Sequence, residues 1–238
     1  MRKALKTIVL LLILSVLVCL ATVLGQGWFR FQREIENMPL STAVAQYTDK
    51  DDYVVFEDID DDFVKAVISV EDKRFFDRQG YDFVALIRAF YNNFRAGRVV
   101  EGGSTITEQI AKNLYLGGYV NGIEEKTAEI FIMLDLEKEY SKEDLFALYA
   151  NMNYYGDGYW GLDDAAKGYY DTDAGDLTLA EAAILAGIPN APSILQLSTG
   201  YDLAKERQAW VLQTMVNNGY ISEDDMETAL LEDVRPVS

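Results

Sequence analysis

From Thr7 to Phe29 the chain carries no charged side chain, and from Ile8 to Leu24 it is almost entirely Ile, Leu, Val and Ala. At about 1.5 Å per residue, a helix of that length crosses a hydrocarbon layer of about 30 Å. Beyond residue 62 the apolar positions take up a helical period. Phe63, Val67 and Val70 fall on one face, and Phe83, Leu86, Ile87, Phe90, Tyr91 and Phe94 form a second stripe. Capping boxes predict helix starts at Ser141 with Asp144, Thr178 with Glu181 and Ser222 with Asp225. Gly219 fits a C-cap after the run from Leu203, and a further helix is read from Ile123. Valine-rich alternation is scarce, so the fold is expected to be mainly α. The pattern divides the chain into an N-terminal stub and anchor (residues 1–29), an acidic entry segment (30–62) and one domain (63–238).

Charge sharpens this division. The 238 residues hold 21 Lys and Arg against 39 Asp and Glu, a formal charge of −18. A chain so acidic is repelled by a phosphate-rich duplex, which argues against nucleic acid as a partner. Arg2, Lys3 and Lys6 precede the apolar run, so the positive-inside rule places the start in the cytoplasm and the domain outside. The run exceeds the usual length of a signal-peptide core and no A-x-A site follows it, which favours a retained single-pass anchor. Eight acids and one lysine lie between Asp49 and Asp62; such runs are usually solvated surface, and that reading is preferred to a calcium site.

Histidine is absent, which removes Ser-His-Asp and Cys-His catalysis and every His-ligated metal. Cys19 is the only cysteine and sits in the apolar run, so no disulfide framework or CxxC site exists. No Ser is followed by Lys three residues later, so a penicillin-type acyl-serine centre is missing. Gly156, Gly158 and Gly161 spell GxGxxG, but the preceding Tyr149 to Tyr155 reads as a helix end rather than the strand a dinucleotide site needs. Asp171, Asp173 and Asp176 are out of register for a calcium loop. Two glutamates remain. Glu71 closes an apolar helix beside Phe75 and Phe76, where burial would raise its pKa toward a useful base; the alternative is a helix-end acid paired with Lys73 or Arg74. Glu129 shares a helix with Glu125 and Lys126, which on spacing alone is also an ordinary surface cluster. Between them, Gly102-Gly103-Ser104-Thr105 before a helix start offers amides and hydroxyls to an anion, or simply caps that helix.

An ordered series of motifs resembles the peptidoglycan glycosyltransferase family. It comprises Glu71-Asp72 with Phe75 and Gly80; Gly103-Ser104-Thr105-Ile106-Thr107 with Gln109 and Lys112-Asn113; and Lys126 with Glu129 and Leu136-Glu137. Tyr149 and Asn151 with Gly156, Gly161, Ala165-Ala166 and Tyr169, then Glu181-Ala182-Ala183 with Leu185-Ala186-Gly187 and Pro192, continue it. The stretch runs from about Phe63 to Leu230, and without an acyl-serine motif it resembles the monofunctional form rather than a complete class A penicillin-binding protein. The resemblance implies a lysozyme-like, two-lobed, mainly helical fold. It also implies polymerisation of lipid II, onto a growing lipid-linked glycan, into β-1,4-linked strands with release of undecaprenyl pyrophosphate. Glu71 would be the general base. Glu129 would assist the leaving group directly or through a divalent cation, Mg²⁺ or Mn²⁺, with no obligatory cofactor. Arg88, Lys112 and Lys126, with Ser104, Thr105 and Gln109, would hold pyrophosphate and sugar; Asn151 belongs to the substrate-binding set in a positioning or structural role. The implied location is the bacterial cell membrane, with other wall-synthesis proteins as partners.

The sequence departs from the family where Arg78 replaces a usual His, Glu108 a usual Gln and Glu125 a usual Arg. Two added carboxylates near a pyrophosphate need a metal or an outward rotamer to neutralise them. Two other readings follow: a weakly active or inactive membrane-bound scaffold, and a muramidase-like hydrolase, which would need a second carboxylate at a glycosidic bond.

Overall fold

The structure is a computed structural model that describes residues 2–78 and 104–236. Arg88, Gly80, Gly102, Gly103 and the Phe83–Phe94 stripe lie outside the described residues. The apolar run forms α1 (Arg2–Asn37), a single helix of 36 residues. The sequence boundary at residue 29 therefore falls inside a continuous helix. Its first part exposes Leu, Ile and Val side chains all round, as a bilayer-spanning helix does, whereas Phe31 near its end is buried in protein.

Helix α2 (Leu40–Thr48) follows, then a 3₁₀ turn at Phe56–Asp58 and α3 (Asp61–Val70). After the undescribed stretch come α4 (Ile106–Tyr115), α5 (Ile123–Glu139), α6 (Lys142–Met152), α7 (Leu162–Tyr170) and α8 (Leu179–Gly187). The short α9 (Pro192–Leu195), the long α10 (Leu197–Asn218) and α11 (Glu223–Leu231) complete the chain. Among the described residues no strand forms; the one β-bridge joins Tyr154 to Trp160. The fold is mainly α, as the periodicity predicts.

Local signals place these helices. All three expected capping boxes are present, and Gly219 ends α10 in the left-handed conformation. Asp60 caps α3 by accepting from the Asp62 and Phe63 amides at 2.8 and 3.2 Å. The three glycines of the GxGxxG have positive φ and shape the turn between α6 and α7, with no strand before them.

The core of α3 packs on α8 and α10, while α4 is sandwiched against α5 and α6. Phe63, Phe75, Phe146 and Tyr149 fill the space between, with ring contacts of 6.3 to 6.4 Å centred on Phe146. Helix α1 docks on α5 through Trp28 and Phe31, whose rings lie 5.2 and 5.9 Å from that of Phe131. The backbones approach at Gly27, where an added Cβ would lie 2.4 Å from Thr127.

This contact carries a prediction. Gly27→Ala should destabilise the protein by about 1–3 kcal/mol through overpacking. Gly25→Ala, where a Cβ meets open space, should be neutral or slightly stabilising on helix propensity. Thermal unfolding of the detergent-solubilised protein checks both, and equal melting temperatures would contradict the close approach.

Candidate active site

Helix α3 ends at Val70, and Glu71 is its C-cap. Across from it, α4 presents Gln109, whose Nε2 donates to Glu71 Oε2 at 2.7 Å. The partner of Glu71 is thus an amide on a distant segment, not the Lys73 of the local alternative. Burial pushes the Glu71 carboxyl above its ordinary 4.5, while the Gln109 hydrogen bond and the charges of Arg207 and Lys112 pull it back. Among the described residues no salt bridge of its own neutralises the group.

Gln109, Lys112 and Asn113 form one wall of a cleft of about 540 Å³, faced by Asn153, Tyr154 and Trp160 and bounded by Pro189 and Asn190. Ser104 is exposed just ahead of α4. Thr105 is buried, and its hydroxyl accepts from the Glu108 amide at 3.2 Å while its own N–H donates to Glu108 Oε2 at 2.8 Å. Its hydroxyl oxygen and N–H thus form the capping box of α4.

One turn along α5, Lys126 Nζ lies 2.6 Å from Glu108 Oε1 and 2.8 Å from Glu129 Oε2. Glu108 is 0% and Glu129 1% exposed, so the surface-cluster reading of Glu129 fails. Burial raises the Glu129 carboxyl, with Lys126 opposing the rise and Glu108 adding to it. Glu125 turns the other way: its carboxylate accepts from the Asn121 amide at 2.7 Å and lies 4.0 Å from Arg30. The two departures from the family are thus separated, one inward and one outward. A divalent cation does not fit between Glu108 and Glu129, because the Lys126 ammonium already stands there. No group of three or more acidic or sulfur ligands gathers elsewhere among the described residues.

Arg78 forms ion pairs with Asp72 and, at 3.0 Å, with Glu137 on α5. Glu137 also accepts from Thr107 Oγ1 at 2.7 Å and pairs with Lys142 at 2.8 Å. Burial would raise Glu137, but Lys142, Thr107 and Arg78 together hold it below 4.5. This network ties the segment after Glu71 to α4, α5 and α6. Asn151, placed by sequence in the substrate-binding set in a positioning or structural role, is a clamp. Its Oδ1 accepts from the Val54 amide at 2.9 Å, and its Nδ2 donates to the Val54 and Ala147 carbonyls at 2.8 Å each. Both donors are engaged inside the protein, which leaves Asn151 a structural role.

Two residues beyond the sequence reading join the site. Arg207 on α10 reaches toward Glu71 with its guanidinium 4.0 Å from the Trp210 ring centre; burial lowers its pKa and the Glu71 charge counteracts that. Its signal was an arginine within the buried stripe Ala204, Gln208 and Val211. Asn153 lines the cleft beside the buried Tyr149; nothing in its local spacing distinguishes it.

Comparison with known proteins gives this geometry a family. The family described as Transglycosylase matches residues 36–216. Penicillin-binding protein 1F of Bacillus subtilis is 40% identical over 187 residues, 79% of this chain and 26% of its own. A Cupriavidus necator protein bearing the name "Putative transglycosylase" is 35% identical over 198 residues, 83% of this chain and 85% of its own. The crystal structure of penicillin-binding protein 1A from Haemophilus influenzae is 34% identical over 43% of this chain and 16% of its own, with a TM-score of 0.39. This chain spans about a quarter of the length of the penicillin-binding proteins it matches first.

The raised Glu71 carboxyl makes a stability prediction. Because the folded state holds the Glu71 proton more tightly than the unfolded one, its contribution to stability falls as pH rises from about 4.5 through the folded value. Glu71→Gln removes that penalty. The variant should be more stable than wild type at pH 7.5, with the gap closing toward pH 4.5. Chemical denaturation at both pH values checks this; a less stable variant at pH 7.5 would contradict it.

Proposed function

The chain belongs to the transglycosylase family, and from that premise we propose that it is a membrane-anchored peptidoglycan glycosyltransferase. It polymerises lipid II into β-1,4-linked glycan and releases undecaprenyl pyrophosphate. The observation that supports this most directly is Glu71, a buried, raised carboxyl hydrogen-bonded by Gln109 beside a cleft lined by Lys112.

In this reading Glu71 takes the proton from the 4-hydroxyl of the acceptor GlcNAc as that oxygen attacks the anomeric carbon of the lipid-linked chain. The bond from that carbon to the pyrophosphate oxygen breaks with inversion, and negative charge builds on the leaving group. Lys112 and Lys126 offer fixed positive charge there, where low dielectric strengthens it. Arg88 is proposed for the same task from outside the described residues. Glu129, buried against Lys126, orients that ammonium. A raised base suits the task, since proton transfer is most efficient from a group whose pKa lies near the working pH.

The apolar helix α1 is long enough to be a single-pass anchor. Its basic start favours a cytoplasmic N-terminus and an extracytoplasmic domain, which would place the cleft beside the leaflet that holds a lipid-linked substrate. Other wall-synthesis proteins are the natural partners there.

Purified full-length protein incubated with lipid II should yield glycan polymer, and Glu71→Gln should lower the rate by about 100-fold or more. A variant keeping more than about a tenth of the rate would assign the base elsewhere. Cleavage of existing glycan by the wild type would assign a hydrolase, and no reaction would leave the scaffold.

A further inference from the structure

We propose that Glu108 is a positioning residue that holds the Lys126 ammonium against the protein, so that an incoming pyrophosphate must displace a carboxylate to reach it. The inference rests on the glycosyltransferase reading for the identity of the anion, and on the following geometry for the clamp itself.

Lys126 reaches out of α5 with its side chain 37% exposed. Its Nζ donates to Glu108 Oε1 at 2.6 Å and forms an ion pair with Glu129 Oε2 at 2.8 Å. Glu108 is anchored from behind. Its second oxygen accepts the Thr105 N–H at 2.8 Å, and its own amide donates to the Thr105 hydroxyl. A capping box needs only one side-chain acceptor, and Gln meets that need as well as Glu. Holding Lys126 at the same time needs a second acceptor. Gln has one oxygen and one NH₂, so whichever way its amide turns, either the Thr105 N–H or the Lys126 ammonium faces a donor. Only a carboxylate bonds to both. Glu108 therefore does something the helix cap alone does not require.

The electrostatics agree. Two buried carboxylates share one ammonium, and Lys112 is the other described cation acting on Glu129. Lys126 would thus meet an incoming pyrophosphate already paired. Binding then exchanges one anion for another at Lys126, which weakens ground-state affinity and makes the lysine available as Glu108 is displaced.

The test uses full-length protein in detergent with EDTA present and measures inorganic pyrophosphate binding by calorimetry. Glu108→Gln should bind about tenfold more tightly, about 1.4 kcal/mol, the order expected when one charge-assisted hydrogen bond to the ligand no longer competes. That gain should vanish in Glu108→Gln with Lys126→Gln. With lipid II, Glu108→Gln should lower KM more than it changes kcat, a split that loss of a structural cap would not produce. The melting temperature of Glu108→Gln should fall, because the buried contact with Lys126 is lost, yet the variant should still fold because a side-chain acceptor for the cap remains. Unchanged or weaker pyrophosphate binding, or a gain that persists without Lys126, overturns the clamp. A wild type that binds pyrophosphate as described yet makes no polymer overturns the glycosyltransferase reading and leaves the clamp standing.

Discussion

The site depends on how carboxylates are kept out of water. Glu71, Asp72, Glu108, Glu129 and Glu137 all hold their carboxylates largely out of water. Each has a donor beside it: Gln109 for Glu71, Arg78 for Asp72, Lys126 for Glu108 and Glu129, and Arg78, Thr107 and Lys142 for Glu137. The donors differ in kind, and that difference separates the roles. Among the described residues, an amide donor leaves the Glu71 carboxyl raised, whereas Lys142, Thr107 and Arg78 hold Glu137 as an anion.

Helix order follows from the same requirement. α4 carries donors on both sides, Gln109 toward Glu71 and Thr107 toward Glu137. α5 runs alongside with Lys126, Glu129 and Glu137 on the face turned to α4. The apolar helix α1 then docks on α5 at Gly27, so the contact with α1 and the charged site lie on two sides of one helix. A shift of α5 would disturb both, which is one physical reason for a continuous α1 in place of a flexible linker.

Much of the fold was legible because its signals are local. A capping box at Ser141, Thr178 or Ser222 is decided within four residues, and Gly219 needs only its own backbone. The site was legible in part. Glu71 was visible as a carboxylate at the end of an apolar helix, but its partner Gln109 is 38 positions away. Spacing gives the period of a helix and not its rotation against neighbours, so Glu129 read as surface while Glu125, four residues earlier, is the one that turns outward. Asn151 and Arg207 act through segments 97 and more than a hundred positions distant, beyond any local pattern.

The central proposal is that burial against the Gln109 amide makes Glu71 the working base. The pH dependence of kcat/KM for glycan polymerisation tests it most directly, in wild type and in Gln109→Leu. The account predicts an acidic limb above the ordinary 4.5 of a glutamate, moved to still higher pH when the Gln109 donor is removed. A limb at or below 4.5, or one that Gln109→Leu leaves in place, would contradict it.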